Sequence, residues 1–242
     1  MRAAVISDVH ANLAALEAVL DAIDADAVDE LWCLGDLVGY NAQPRECIDL
    51  VLGRAAVCLA GNHDLVVNGA EDLRVFTHDA GKAARWTRDT LPEESLERLR
   101  QLEPRGAREG VELYHASPRD PVWEYVVDDH SAAQNLDLQG TPIALIGHSH
   151  VPLMWVRRPG DTAGGGYAEP GLVDLPDEHV LINPGSVGQP RDGDPRAAYL
   201  VLDLDAGTAD WRRVGYDVAL TQAAIMAAGL PRSLAMRLAT GR

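Results

Sequence analysis

Asp8-Val9-His10, Gly35-Asp36, Gly61-Asn62-His63-Asp64, His115 and Gly147-His148-Ser149-His150 are the segments whose side chains can do chemistry. Together they offer carboxylate, imidazole and carboxamide donors in greater number than one cation needs, since a transition-metal site takes about four ligands. The pattern points to two adjacent metal ions and to metal-assisted hydrolysis. Singly, Asp8 and His10 carry little weight: an aspartate after a strand often caps the next helix, and a lone histidine is more often a surface or hydrogen-bonded core group. The weight lies in the set, because burying Asp8, His10, Asp36, Asn62, His115, His148 and His150 at one edge without a cation would be costly.

A repeated strand, loop and helix is what can bring them together. Residues 2 to 7 form an apolar run expected as a buried strand, after which Asn12 can cap a helix carrying Leu13, Leu16, Leu20 and Ile23 on one face. Glu30 to Leu34 reads as a second strand, Pro44 opens a short helix that Gly53 closes, and Ala55 to Ala60 reads as a third strand. Asp8 and Asp36 stand 28 positions apart and Asp36 and Asn62 stand 26 apart, the length of a βαβ unit of about 30 residues. Parallel strands joined by right-handed crossovers place their C-terminal ends along one edge, so the spacing predicts a shared site.

From about Asn68 to Leu102 the pattern turns helical, with Ala83, Ala84, Trp86 and Thr87 and then a Pro92-led segment bearing Leu96, Leu99 and Leu102. Val111 to Tyr114 and Pro142 to Ile146 return to strand and deliver His115 and the Gly147 to His150 segment. Val151 to Arg157 and Val180 to Ile182 read as strands around a stretch rich in Gly, Pro and Asp, including Gly164-Gly165-Gly166, expected as a long flexible loop. Tyr199 to Asp203 and Ala209 to Val214 suggest a hairpin, and the tail from Val218 reads as two small helices broken at Gly229-Leu230-Pro231. The expectation is one α/β domain over residues 1–242.

Bulk properties narrow the function. Asp and Glu number 37 against 21 Lys and Arg, for a net charge of −16, so the surface repels polyanions unless a local positive charge overrides it, which counts against a general duplex-binding role. The odd cysteines Cys33, Cys47 and Cys58 form no CxxC pair, against both a disulfide framework and a thiolate zinc site. No run approaches the roughly 18 apolar residues of a membrane span, and Met1 to Asp8 is too short an apolar stretch for a secretory signal. A cytoplasmic protein is expected, of unspecified oligomeric state.

In order, these segments give DxH, GD, GNH followed by Asp, a lone His, and GHxH, and over Asp8 to His150 the chain resembles the calcineurin-like metallophosphoesterases. The resemblance implies a sandwich of two mixed β-sheets flanked by helices, with a dinuclear site at the C-terminal ends of strands. It implies Asp8, His10 and His150 on a first metal, Asn62, His115 and His148 on a second, and Asp36 bridging both. A carboxylate is the one group here whose two oxygens bridge easily. Ligands of this kind without thiolate suit Mn, Fe, Co, Ni or Zn, with Mn or Fe first. Two such ions would acidify a bridging water, and the resulting hydroxide would attack a phosphoester. His63, beside the ligand Asn62, is placed to protonate the leaving oxygen, with Asp64 orienting it.

Two features bear on substrate. The protein Ser/Thr phosphatases and the dinucleoside tetraphosphate hydrolases carry Asp-Arg-Gly near Asp36, whereas this chain has Gly39-Tyr40-Asn41. The segment Ile182-Asn183-Pro184-Gly185-Ser186-Val187-Gly188-Gln189-Pro190-Arg191 is similar to the closing segment of the small bacterial and archaeal phosphodiesterase-like branch; Asn-Pro-Gly-Ser reads equally as a plain turn or as glycine-rich amides that face an anion. A phosphodiesterase on small or nucleotide-derived substrates is therefore expected, the alternatives being a phosphomonoesterase, a dinucleoside polyphosphate hydrolase, or a non-catalytic scaffold. Tyr40, His78 and Arg191 are candidate pocket residues, although an arginine beside Asp192 and Asp194 also reads as an exposed ion pair.

Overall fold

Strand β1 (Arg2–Ile6) shows why its sequence looks like an unbroken apolar run: Ala3 and Val5 face one buried layer and Ala4 and Ile6 another, so both faces of the strand are covered. In this computed structural model, which describes residues 1–159 and 162–242, β1 continues through Asp8 to His10 into α1 (Leu13–Asp24). Asn12 caps that helix by accepting from the Ala15 amide, as its residue type predicts. Next come β2 (Glu30–Cys33), α2 (Pro44–Arg54) and β3 (Val57–Cys58). β1, β2 and β3 are parallel, with Val5 opposite Trp32 and Cys33 opposite Cys58. The third strand is shorter than the apolar run suggested, and Asn62–Asn68 forms a helix, α3, bracketed by Gly61 and the left-handed Gly69.

The helical cover is α4 (His78–Thr90) and α5 (Glu93–Arg100). The chain then forms β4 (Arg105–Arg108), β5 (Val111–Tyr114), α6 (Asp129–Leu136), β6 (Ile143–Leu145) and β7 (Pro152–Arg158). β4 gave no sequence signal because, as a largely exposed edge strand, it needs no apolar alternation. Its partner β5 runs parallel to β6, and β6 runs parallel to β10 (Val180–Pro184). The chain closes with the hairpin β11 (Ala197–Asp203) and β12 (Thr208–Val214), then α7 (Val218–Ala227) and α8 (Arg232–Leu238).

The expected flexible loop around the glycine run is corrected. Thr162–Tyr167 is a strand, β8, antiparallel to β7, and Gly171–Asp174 is another, β9, antiparallel to β12. Gly165, at φ 134°, lies so close to β7 that a Cβ would stand 2.1 Å from the Met154 carbonyl oxygen. Close strand approach, rather than flexibility, accounts for glycine there. Gly160 and Asp161, also part of that stretch, lie outside the described residues.

The strands make two mixed six-stranded sheets, ordered β3-β2-β1-β11-β12-β9 and β4-β5-β6-β10-β7-β8. Val5, Trp32, Leu34, Leu200 and Trp211 of the first meet Leu113, Leu145, Val156 and Ile182 of the second in the central layer. Each such side chain contributes about 1.5–3 kcal/mol by burial. The Trp211 indole N–H crosses the layer to donate to the Asn183 carbonyl at 2.9 Å. On the outer faces, α1, α2 and α3 cover the first sheet and α6 the second. No helix among the described residues is long and apolar enough to cross a membrane.

Candidate metal centre

The loops after β1, β2, β5 and β6 and the start of α3 carry the predicted site residues, and the sandwich brings them to one edge. The backbone there is unusual. Asp8, His10, Asp36, Tyr40, His148 and His150 all adopt left-handed conformations, with φ between 48° and 63°. Each costs about 1 kcal/mol or more for a residue with a Cβ, so the surroundings must hold it. Loop-to-loop hydrogen bonds do so: the amides of Asp8, His10 and Ala11 donate to the carbonyls of Gly35, Asp36 and Leu37 at 2.9–3.0 Å. Gly147 N–H donates to His115 O at 2.7 Å, and Asn41 Nδ2 donates to His10 O at 2.7 Å.

Each buried histidine of the cluster has one ring nitrogen committed. Nδ1–H donates to a backbone carbonyl in His10 (Val38, 2.9 Å), His115 (Leu34, 2.9 Å) and His150 (Gln189, 2.6 Å). His148 is turned over and uses Nε2 toward the Trp123 carbonyl at 3.2 Å. This fixes each tautomer and leaves the other nitrogen as a bare lone pair, as in a metal-ligating imidazole. The carboxylates follow the same logic. Asp8 Oδ2 accepts from His148 N at 3.1 Å and Asp36 Oδ1 from His63 N at 2.8 Å. Among the described residues, Asp8 Oδ1 and Asp36 Oδ2 are buried with no hydrogen-bond donor.

The free atoms converge. His150 Nε2 lies 3.3 Å from Asp8 Oδ1, and the Nε2 atoms of His10 and His115 lie 3.5 and 3.6 Å from Asp36 Oδ2. Asn62 Oδ1 stands 3.1 Å from His115 Nε2. The donor atoms form two groups, Asp8, His10, Asp36 and His150 in one and Asp36, His115 and His148 in the other, each within 4.8 Å and sharing Asp36.

Electrostatics supply a reason for cations here. Burial pushes the Asp8 carboxyl up to about 7. Asp36 is also driven upward, by burial and then by the Asp64 charge. Burial pushes the imidazoles of His10, His63, His148 and His150 well below their ordinary range. Protein groups alone therefore leave a buried site of neutral imidazoles and reluctant carboxylates, and a divalent cation reverses each penalty. Nitrogen and oxygen donors with two unsatisfied carboxylate oxygens fit divalent transition metals.

A cavity of about 210 Å³ opens above the cluster, lined by Asp36, Asn62, His63, His148 and His150, with Tyr40 and Arg191 at its wall. His63 lies between the rings of Tyr40 and Phe76, at centroid distances of 4.4 and 4.3 Å, and its buried Nδ1 has no hydrogen-bond partner. Gly39, at φ 90°, makes room for it, since a Cβ there would stand 2.3 Å from Nδ1. The orienting role expected of Asp64 is corrected: its oxygens accept from the amides of Leu37, Val38 and Gly61 at 2.9–3.2 Å. Asp64 ties the Asp36 loop to the Asn62 loop.

Arg191 is not an exposed ion pair. Asp192 binds Arg213 and the Tyr167 hydroxyl, Asp194 binds Arg196, and Arg191 instead donates to Gln189 Oε1 at 3.0 Å and Tyr40 Oη at 3.2 Å over the Tyr40 ring. His78 does not line this cavity; it is exposed, paired with Asp79 at 3.0 Å, on a neighbouring groove. The expectation that the Asn183 to Arg191 segment turns its amides toward an anion is also corrected. The amides of Val187, Gly188 and Gln189 donate to Ser7 O, Asp8 O and Ser186 Oγ, bracing the Asp8 loop.

Sequence reasoning missed the wall formed by Phe76, Trp123 and Tyr125. The available signal was compositional: the chain's one phenylalanine and two of its few aromatics flank the His63 and His115 segments.

Comparison with known proteins agrees with this geometry. Residues 1–207 match the model of the calcineurin-like phosphoesterase superfamily domain. The uncharacterized protein MJ0912 of Methanocaldococcus jannaschii is 37% identical over 246 residues, covering 99% of this chain and 98% of that protein. The crystal structure of a metallophosphoesterase from Sphaerobacter thermophilus superposes with a TM-score of 0.90 at 42% identity, over 100% of this chain and 99% of that one. A shorter likeness, 38% over 63 residues, covers 25% of this chain and 23% of a symmetrical bis(5'-nucleosyl)-tetraphosphatase of Thioalkalivibrio sulfidiphilus. Motifs, sheet order and whole-length likeness lead to one conclusion: the chain belongs to the calcineurin-like phosphoesterase superfamily.

Proposed function

We propose that the protein is a metal-dependent phosphoesterase that hydrolyses small phosphodiesters, including nucleotide-derived ones, at a dinuclear centre. The observation that carries this reading is the pair of buried, donorless carboxylate oxygens on Asp8 and Asp36, facing bare histidine nitrogens beneath a cavity walled by Arg191. Asp8, His10 and His150 would hold one divalent ion and Asn62, His115 and His148 a second, with Asp36 common to both. Manganese or iron suits this donor set, as do cobalt, nickel and zinc. When bound, the ions supply Lewis-acid charge that acidifies water and draws in phosphoryl oxygens.

The chain's own groups do the rest. Arg191 offers its remaining N–H groups to a phosphoryl oxygen as charge-assisted hydrogen bonds. Tyr40 holds that guanidinium in place. Burial keeps the His63 ring, wedged between Tyr40 and Phe76, neutral in the free protein; the negative charge of a bound phosphoester would favour the imidazolium, which gives its proton to the leaving oxygen. The Phe76 and Trp123 rings, 6.0 Å apart, form the apolar wall beside His63. The local charge of bound cations and Arg191 offsets the net −16 of the chain, so a small anion is admitted while duplex nucleic acid is repelled.

A panel of chromogenic mono- and diesters, run with Mn, Fe, Co, Ni, Zn and Mg, tests the reading. Metal-stimulated turnover that favours diesters is expected. Preference for monoesters would sink the diester assignment, and the absence of both bound metal and hydrolysis would return the protein to a scaffold role. The short likeness to the tetraphosphatase supports a second reading, cleavage within a phosphoanhydride chain, which a dinucleoside polyphosphate in the same panel separates.

A further inference from the structure

The cavity over the metal cluster is too small for a whole nucleotide-sized substrate. Its volume of about 210 Å³ falls below the roughly 300 Å³ at which small-molecule pockets begin. Phe76 and Thr77 form a wall shared with a second groove of about 400 Å³, so a substrate held at the cluster and too large for the cavity extends there. Three side chains that line that groove are cationic, Arg74, Lys82 and Arg85.

This is unexpected in a chain of net charge −16. Lys82 is its one lysine. Most of the arginines are taken up by carboxylates, as in Arg54 with Asp24, Arg98 with Asp49, Arg108 with Glu30 and Arg212 with Asp26. Arg74 is likewise held by Asp72, and His78 by Asp79, which also accepts from Ser233. Among the described residues, Lys82 and Arg85 have no carboxylate within ion-pair distance and no side-chain hydrogen bond, Lys82 feeling only at longer range the charge of Asp79, itself shared with His78 and Ser233.

The two free cations stand at i and i+3 on α4, so they share one face of the helix. Gly81 beside them leaves the floor of the groove low, since a Cβ there would only touch Phe76 at 3.7 Å. Thr77 makes no side-chain cap at the start of α4, whose first turn carries Asp79, so the anion-attracting charge of the groove comes from Lys82 and Arg85. Long cationic side chains held by no ion pair or hydrogen bond among the described residues, beside a groove of ligand size, are placed to bind an anion rather than to stabilise the fold.

We infer that the groove lined by Lys82 and Arg85 is a subsite for a second phosphate of the substrate, one that stays bound while the ester over the metal cluster is cleaved. This rests on the phosphoesterase reading for what occupies the cluster, and it narrows the substrate class to molecules carrying at least two phosphate groups. Phe76 and Thr77 separate the two anion sites, so the phosphates are bridged by a spacer rather than stacked on one site.

Calorimetric binding to the Mn-loaded protein tests it without requiring turnover. The probes are propane-1,3-diyl and hexane-1,6-diyl bisphosphate, each against the alkyl monophosphate of the same chain length. At one of the two lengths the bisphosphate is expected to bind about tenfold or more tightly than its monophosphate, an advantage that shrinks with salt. The exposed double substitution Lys82→Ala with Arg85→Ala should abolish that advantage and leave monophosphate affinity unchanged. No advantage at either length, or one that survives the double substitution, overturns the subsite. If chromogenic esters are never hydrolysed while this binding pattern holds, the catalytic reading falls and the subsite stands.

Discussion

His10 and His150 present their Nε2 atoms to each other at 3.1 Å, although each has already given its Nδ1 proton to a backbone carbonyl. Two lone pairs at that distance repel, a repulsion that a cation held by both nitrogens would convert into coordination.

Metal removal should therefore destabilise the protein. A divalent ion at 100 times its Kd adds about 2.7 kcal/mol by linkage, equivalent to roughly 5–10 °C in Tm for a chain of this size. Thermal melts of chelator-treated protein with and without added Mn check this. Coincident melts would contradict binding at the cluster.

Replacing the proposed acid separates chemistry from ligation. His63→Asn should retain full metal content by elemental analysis yet lose about 10² or more in kcat for esters with poor leaving groups. Activated leaving groups should be affected far less. Equal turnover by both proteins on the poor substrates excludes His63 as the acid.

Asp64 is a structural clamp, so its loss should be read in stability first. Asp64→Ala strands the amides of Leu37, Val38 and Gly61 and should cost about 3–5 kcal/mol. Denaturant titration measures it, and a change below 1 kcal/mol would show that the two loops hold themselves.

Glu30 gives a pH test away from the metals. The Arg108 guanidinium, and then the Trp32 indole N–H, hold its carboxyl below the ordinary value of 4.5. A carboxyl depressed on folding stabilises above its unfolded pKa and loses that contribution as pH falls through the folded one. Wild type should therefore exceed Glu30→Gln in stability at pH 6, with the gap closing below about pH 4.5. A gap that widens on acidification would reverse the assignment.

Gly165 tests the strand that replaced the expected loop. Gly165→Ala places a Cβ 2.1 Å from the Met154 carbonyl oxygen, whereas Gly207→Ala meets open space. The first should lower stability by about 3 kcal/mol or more and the second by about 1 kcal/mol. Equal effects would favour a flexible segment over a paired β8.

The clustering of donor residues was legible in sequence because metal chemistry restricts residue types and the βα spacing restricts where they recur. Asp8, Asp36 and Asn62 come from successive units, and parallel pairing of β1, β2 and β3 follows from their double-sided apolar runs. Other roles were set by contacts distant in sequence. Nothing local tells that Asp64 reaches back 26 and 27 positions to Val38 and Leu37, or that Arg191 leaves neighbouring Asp192 to Arg213 and covers Tyr40 151 positions away. The glycine run at Gly164 to Gly166 looked like a loop for the same reason: its pairing with β7 depends on a carbonyl of another strand. Sequence alone determined which donors meet, since their chemistry is carried by residue type and period. Tertiary structure alone decided which nitrogen of each histidine points inward, which oxygen of each aspartate is free, and where the two unpaired cations of α4 lie, because hydrogen-bond partners and burial are properties of the packed chain.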